Sequence, residues 1–210
     1  MDFDEVQSYI TSLVPPRPAE MQAMERYAQQ HDFPIIGPAA GYACYQVARM
    51  MGARSVFELG SGYGYSTAWF ARAVQENDGG IVHHVVWDEN LSQMARQHLG
   101  QLGYASIVQY HVAEAVATLR NTPGPFDLIF NDIDKQGYPE SLPVIKEKLG
   151  PGGVLIIDNI LWSGRVYEPA NHEGSTEAIR EFTRMITADA DWVVSLLPIR
   201  DGMIVALKTG

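Results

Sequence analysis

Apolar residues recur along this chain with two periods, and the points where one gives way to the other mark its elements. Phe3, Val6, Ile10 and Leu13 are spaced by three and four, which predicts an amphipathic helix over 2–14 that Pro15, Pro16 and Pro18 stop. A second helix is predicted over Ala19–His31, with Met21, Met24, Tyr27 and Ala28 on one face. The loop Pro34-Ile35-Ile36-Gly37-Pro38 leads into a third, whose apolar set is Ala43, Cys44, Val47, Ala48 and Met51. From Ser55 onward short apolar runs alternate with helical patterns. Strands are predicted over 55–59, 81–87, 106–111, 126–131 and 153–158, and helices over 66–77, 90–102, 114–121 and 138–149. A last helix turns Ile179, Phe182 and Ile186 inward. The runs Trp192–Leu197 and 203–207, joined by Pro198-Ile199-Arg200-Asp201-Gly202, predict a hairpin.

Strand and helix in regular alternation imply an α/β fold: a parallel sheet covered on both faces through right-handed crossovers. Residues 126–130 and 154–157 are nearly all apolar, as central strands must be. The whole chain, 1–210, reads as one domain. Within it, residues 1–36 precede the sheet and suit core packing, a lid over the site or a dimer contact.

The first strand ends in the turn Gly60-Ser61-Gly62-Tyr63-Gly64-Tyr65-Ser66, with Glu58 two residues before the first glycine. Glycines here let the backbone turn sharply and a ligand lie against main-chain amides, and Ser66 is placed to cap the next helix. A dinucleotide fold would need G-x-G-x-x-G. The spacing is G-x-G-x-G, which argues against a nicotinamide-dependent oxidoreductase.

In an open parallel sheet, chemistry collects at the carboxyl ends of the strands. The fourth strand runs out into Asn131-Asp132-Ile133-Asp134-Lys135 and the fifth into Asp158-Asn159. If those strands are neighbours their ends lie about 5 Å apart, and Asp132, Asp158 and Asn159 converge as hard oxygen donors suited to Mg²⁺, Mn²⁺ or Ca²⁺. The alternative is that these acids merely cap the following helices. His83 and His84 lie on opposite faces of the second strand and read as structural, as do Tyr63 and Tyr65 beside the turn.

Composition narrows the partners. A net charge of −10 disfavours a surface that tracks nucleic-acid phosphates and suits a small-molecule substrate. Cys44 is the single cysteine, so no internal disulfide forms and a reducing, cytoplasmic setting is expected. Asp2, Asp4 and Glu5 stand where a signal peptide needs positive charge, and no apolar run is long enough to span a membrane.

Three segments carry a specific resemblance: Phe126-Asp127-Leu128-Ile129-Phe130-Asn131-Asp132-Ile133-Asp134-Lys135, the Leu149-Gly150-Pro151-Gly152-Gly153 turn, and Ile157-Asp158-Asn159-Ile160-Leu161-Trp162-Ser163-Gly164-Arg165-Val166. They are similar to the cation-dependent O-methyltransferase family, which includes the catechol and caffeoyl-CoA enzymes. The glycine turn with Glu58 resembles the first motif of class I S-adenosylmethionine (SAM) methyltransferases. The resemblance implies their Rossmann-like fold: a seven-stranded, mostly parallel sheet with an antiparallel C-terminal hairpin strand and helices on both faces. It implies SAM as cofactor, held by Ile36, Glu58, Gly60, Ser61, Gly62, Gly64, Ser66, Asp88, Ala115 and Asp132. It implies a divalent cation on Asp132, Asp158 and Asn159, with Asp132 and Lys135 in catalysis and Lys135 as general base. Lys135, Asn159, Trp162 and Arg165 are implied around a catechol-like or phenylpropanoid acceptor, in a homodimer.

Val86 departs from the family, which has an acid there to hold both ribose hydroxyls; Asp88, two residues on, is the stand-in the sequence offers. Ala113 also replaces a common glycine. Losing a charged hydrogen bond to the ribose weakens cofactor binding by about ten- to a hundredfold. The alternative function is therefore a binding protein of the same fold with weakened or lost catalysis.

Overall fold

The sheet has the third strand at one edge and the first arm of the hairpin at the other, with the remaining predicted strands between them. The computed structural model describes residues 3–210; Asp2, where the first predicted helix begins, lies outside the described residues. The strands are β1 (Ser55–Leu59), β2 (Ile81–Val86), β3 (Val108–Val112), β4 (Phe126–Asn131), β5 (Leu149–Ile157), β6 (Trp192–Leu197) and β7 (Met203–Lys208), in the order β3-β2-β1-β4-β5-β7-β6. Neighbours among β1–β5 pair in parallel, and β7 runs antiparallel to β5 and β6. The order reverses between β1 and β4, which opens a crevice at their carboxyl ends.

Helices cover both faces: α1 (Phe3–Ser12), α2 (Ala19–His31), α3 (Gly37–Met50), α4 (Tyr65–Glu76), α5 (Glu89–Gln101), α6 (Ala115–Asn121), α7 (Tyr138–Lys148) and α8 (Gly174–Ala188). Alternation along the strands sorts their side chains between two cores. Val56, Val82, Phe130 and Ile156 pack with α2–α5, while Phe57, Val85, Ile129 and Leu155 pack with α6–α8. Phe126 joins Ile129 rather than Leu128, because the β4–β5 register shifts between Phe126 and Leu128. At that irregularity the Asp127 carboxylate accepts the backbone N–H groups of Arg54 (2.8 Å) and Ser55 (2.9 Å), fixing the start of β1.

Several element boundaries differ from the sequence reading, these among them. β5 begins at Leu149, four residues before the predicted 153, because Leu149 pairs with Phe126 despite the glycines and Pro151 that follow. β3 begins at Val108 rather than 106. Ser66 does not cap α4: Gly64, with φ of 93°, is the N-cap, and Ser66 lies inside the first turn.

The N-terminal segment divides in two. α2 is core, with Met21 and Met24 fully buried. α1 has no buried residue and is tied through Gln7, whose side chain donates to the Pro198 carbonyl (3.1 Å) and accepts from the Arg200 N–H (2.7 Å). α3 seats against α4 at Gly41, where an added Cβ would lie 2.2 Å from the Trp69 indole nitrogen. No helix among the described residues is long and apolar enough to cross a membrane.

Gly60 is the tightest constraint at the crevice. Its φ is 87°, and a Cβ would stand 2.4 Å from the Asp132 carbonyl oxygen. Gly60→Ala is expected to destabilise the protein by about 2 kcal/mol or more, combining left-handed backbone strain with a clash against main chain. Chemical denaturation at neutral pH measures it; a loss below about 0.5 kcal/mol, the range of an ordinary surface substitution, would show that the β1 turn and the β4 end separate freely.

Candidate active site

The ends of β1, β4 and β5 are held in step by backbone bonds that continue past the strands. The Asp132 N–H donates to the Leu59 carbonyl (2.9 Å), and the Asp158 N–H donates to the Asn131 carbonyl (3.3 Å). Adjacent strands therefore deliver Asp132 and Asp158 to one place, as their positions in the sequence predict. Asn159 follows with φ of 59°, a left-handed conformation that asparagine tolerates and that turns the chain out of β5.

A cavity of about 500 Å³ opens over these ends. Ile36, Gly60, Ser61, Gly62, Ser66, Ala115, Asp132, Lys135, Asp158, Asn159 and Trp162 all line it, so it gathers most of the residues singled out from sequence. Glu58 lies beneath the turn, fully buried, and Gly64 packs toward Ala95 and Leu99 of α5. Two others stand apart. Asp88 caps α5, its carboxylate accepting from the N–H groups of Asn90 (2.7 Å) and Leu91 (3.1 Å), which is the helix-capping alternative weighed for strand-end acids. Arg165 is exposed, pairs with Glu173 (3.5 Å) and lies over the Trp162 ring.

Lys135 is buried and fully engaged. Its Nζ donates to Asp132 Oδ1 (2.7 Å), the Tyr138 hydroxyl (3.0 Å) and the Ile133 carbonyl (3.3 Å). Tyr138 in turn donates to the Asp158 carbonyl (3.0 Å), so Tyr138 braces the lysine against both strand ends. Asp158 is only 2% exposed and its Oδ1 has no hydrogen-bond partner. Burial, reinforced by the charge of Asp132, raises its pKa to about 7. Burial also raises the Asp132 carboxyl, opposed by Lys135. Among the described residues, no cluster of three or more His, Cys, Asp or Glu side chains is placed to hold a metal ion; the expected donor set has two carboxylates and an amide.

Under the glycine turn, the Thr67 hydroxyl donates to Glu58 Oε2 and lies 3.0 Å from His84 Nδ1, while Glu58 Oε1 has no partner. Burial raises the Glu58 pKa to about 7 against the pull of the Ser66, Thr67 and Ser61 hydroxyls. His83 and His84 are both buried and held neutral by burial, at about 4 and 3, in keeping with their structural reading.

Sequence reasoning passed over Phe33, Trp87 and Arg200, which line the cavity from the loop before α3, the end of β2 and the turn before β7. Tyr63 and Tyr65 line it while packing: their hydroxyls donate to the Met24 carbonyl (2.9 Å) and Glu25 (2.8 Å). Arg200 had a local signal, a cation inside the hairpin turn; Phe33 and Trp87 had none, since their placement depends on tertiary packing.

Glu58 yields a pH prediction. Its native pKa of about 7 exceeds the ordinary 4.5, so between those values the folded state binds more protons than the unfolded state and stability falls as pH rises. At pH 8 burying the charge costs on the order of 3 kcal/mol. Glu58→Gln is expected to raise the melting temperature of ligand-free protein at pH 8 and leave it nearly unchanged at pH 4.5. Equal shifts at both pH values would show that Glu58 is not neutralised by burial.

The chain is similar to known proteins over nearly its whole length. The O-methyltransferase family model matches residues 20–209. A catechol O-methyltransferase from Niastella koreensis is 28% identical over 98% of this chain and 97% of its own length. The O-methyltransferase TomG from Streptomyces achromogenes, involved in tomaymycin synthesis and solved with SAM, superposes with a TM-score of 0.89 at 26% identity over the full length of both chains. An O-methyltransferase from Bacillus cereus, solved with S-adenosylhomocysteine (SAH), gives 0.88 at 25% identity over 98% of this chain and 97% of that one. With the strand order, the glycine turn and the paired acids already in place, this match establishes that the chain belongs to the O-methyltransferase family.

Proposed function

We propose that the protein transfers a methyl group from SAM to a hydroxyl of a small catechol-like or phenylpropanoid acceptor, with a divalent cation, Mg²⁺, Mn²⁺ or Ca²⁺ by the hardness of its donors, on Asp132, Asp158 and Asn159. The observation that carries the reading is Asp158: a carboxylate oxygen without a partner, buried beside a second acid, at a strand end open to the cavity. Such an atom is costly unless a cation or donor joins it. SAM is supported by the glycine turn and by the SAM and SAH held in the two similar structures.

Ser61 and Ser66 take the amino-acid end of the cofactor, backed by Glu58 beneath the turn, and Gly60 and Gly62 let it lie against the main chain. When bound, the cation supplies positive charge that lowers the pKa of an acceptor hydroxyl. Asp132, Asp158 and Asn159 supply the oxygens that hold it, and Trp162 offers an aromatic wall to the acceptor ring. Lys135, after giving up one proton of its ammonium to solvent, takes the hydroxyl proton at Nζ and returns to the ammonium that Asp132 and Tyr138 hold in place. Because the sulfonium methyl is already activated, alignment of the oxygen in line with it is the remaining task.

Val86 favours the second reading, a SAM-fold binding protein with weak or absent turnover: the β2 end is apolar and Asp88 is engaged as a helix cap. Calorimetric titration with SAH, followed by turnover of labelled SAM with catechol, separates the two. A homodimer in the cytosol completes the proposal, supported by Phe3, Tyr9 and Leu13, exposed apolar residues of the α1 segment that a second copy would cover. Light scattering is expected to read twice the 23.3 kDa chain mass; a monomer at micromolar concentration would remove that part.

EDTA is expected to lower catechol methylation by at least about a hundredfold, with recovery on adding Mg²⁺; undiminished activity in chelator would eliminate the cation. Lys135→Met should reduce kcat by about 10²- to 10⁴-fold and leave the SAH Kd within about twofold. A kcat unchanged by that substitution would show that Lys135 is only a brace for the strand ends.

A further inference from the structure

Five charged side chains line the cavity: Asp132, Asp134, Lys135, Asp158 and Arg200. Two are cations, and they differ in how they are occupied. The Lys135 ammonium has three protein partners, one of them a carboxylate. The Arg200 guanidinium has a single one, the Ile35 carbonyl, 2.6 Å from Nη1. Among the described residues no carboxylate lies within ion-pair distance of it, and no protein group takes up its Nε or Nη2. Of the two cations of the cavity it is the one without a carboxylate partner.

Its placement is fixed from three sides. The Arg200 backbone is held by Gln7 at a φ of 50°, the side chain lies against Gly37 at the start of α3, and Nη1 is bonded beside Ile36, itself a lining residue. Its charge is felt at Asp132 and Asp158, where it favours the ionised forms. A guanidinium presents a planar fork of donors that matches a carboxylate. Held in place with Nε and Nη2 free, it is preorganised for that partner.

We propose that Arg200 is the carboxylate-recognising residue of this cavity. The inference rests on the methyltransferase function proposed above, which offers two sources for the carboxylate: the methionine end of the cofactor, or a carboxylate carried by the acceptor ring. In either case binding forms charge-assisted hydrogen bonds that a neutral ligand lacks, so discrimination by charge is the property to measure.

The test compares wild-type protein with Arg200→Gln and Arg200→Lys. SAH and 5′-methylthioadenosine, which lacks the amino-acid end, are titrated calorimetrically, and KM is measured for catechol and for 3,4-dihydroxybenzoate. If the cofactor is the source, Arg200→Gln weakens SAH by about tenfold or more while methylthioadenosine changes less than about twofold. If the acceptor is the source, SAH is unchanged and KM rises about tenfold for dihydroxybenzoate alone. In both cases Arg200→Lys restores part of the loss, because the charge remains. Equal losses for the charged and neutral member of each pair, or no loss at all, would overturn the proposal and leave Arg200 as a strap for Ile35. The neutral probes separate lost charge recognition from any general loosening of the fold. A wild-type protein that binds neither nucleoside would overturn the methyltransferase reading and this inference together.

Discussion

Two backbone hydrogen bonds, Asp132 N–H to Leu59 and Asp158 N–H to Asn131, carry the site. They extend the ladder one residue beyond the strands, so the first residue after β4 and the first after β5 leave the sheet at the same level. A carboxylate on each is then directed to a common region by main chain alone, before any side-chain preference acts. Gly60 completes the arrangement, because only a residue without a Cβ leaves room for the Asp132 carbonyl. Function here is built on the ending of three strands.

Polar groups buried under and around that ending are incompletely satisfied, and this gives the cavity its character. Glu58 and Asp158 each keep an oxygen without a partner, and both have pKa values lifted to about 7 by burial. Such groups lower the stability of the ligand-free chain and are retained where a ligand completes them. Lys135 is the opposite case: three acceptors hold it, so its orientation is set before any acceptor molecule arrives.

Much of this was legible in the sequence because it is local. The apolar alternation of β1, β4 and β5, the spacing of the glycines and the acids at strand ends all depend on a few neighbouring residues, and the sheet places them as expected. What was not legible depends on pairing or competition. Gly150, Pro151, Gly152 and Gly153 look like a turn, yet β5 starts at Leu149 because a partner strand is there to pair with. The sequence offers Asp88 to a ribose alone, yet one of its oxygens, Oδ1, also accepts two N–H groups at the start of α5. Ser66 looks like a cap, yet Gly64 begins the helix through a backbone conformation that only the assembled turn reveals. Arg200 lies far along the chain from Ile35 and meets it only in the folded protein.

The contact of Gly41 with Trp69 sets how closely two helices beside the cavity lie. Since α3 rests on α4 at glycine distance, any larger residue at position 41 would push apart the two helices that start at the rim of the cavity. The neighbouring rim segment is held differently, by one bond from Arg200 to the Ile35 carbonyl, with Gln7 of α1 holding the Arg200 backbone behind it.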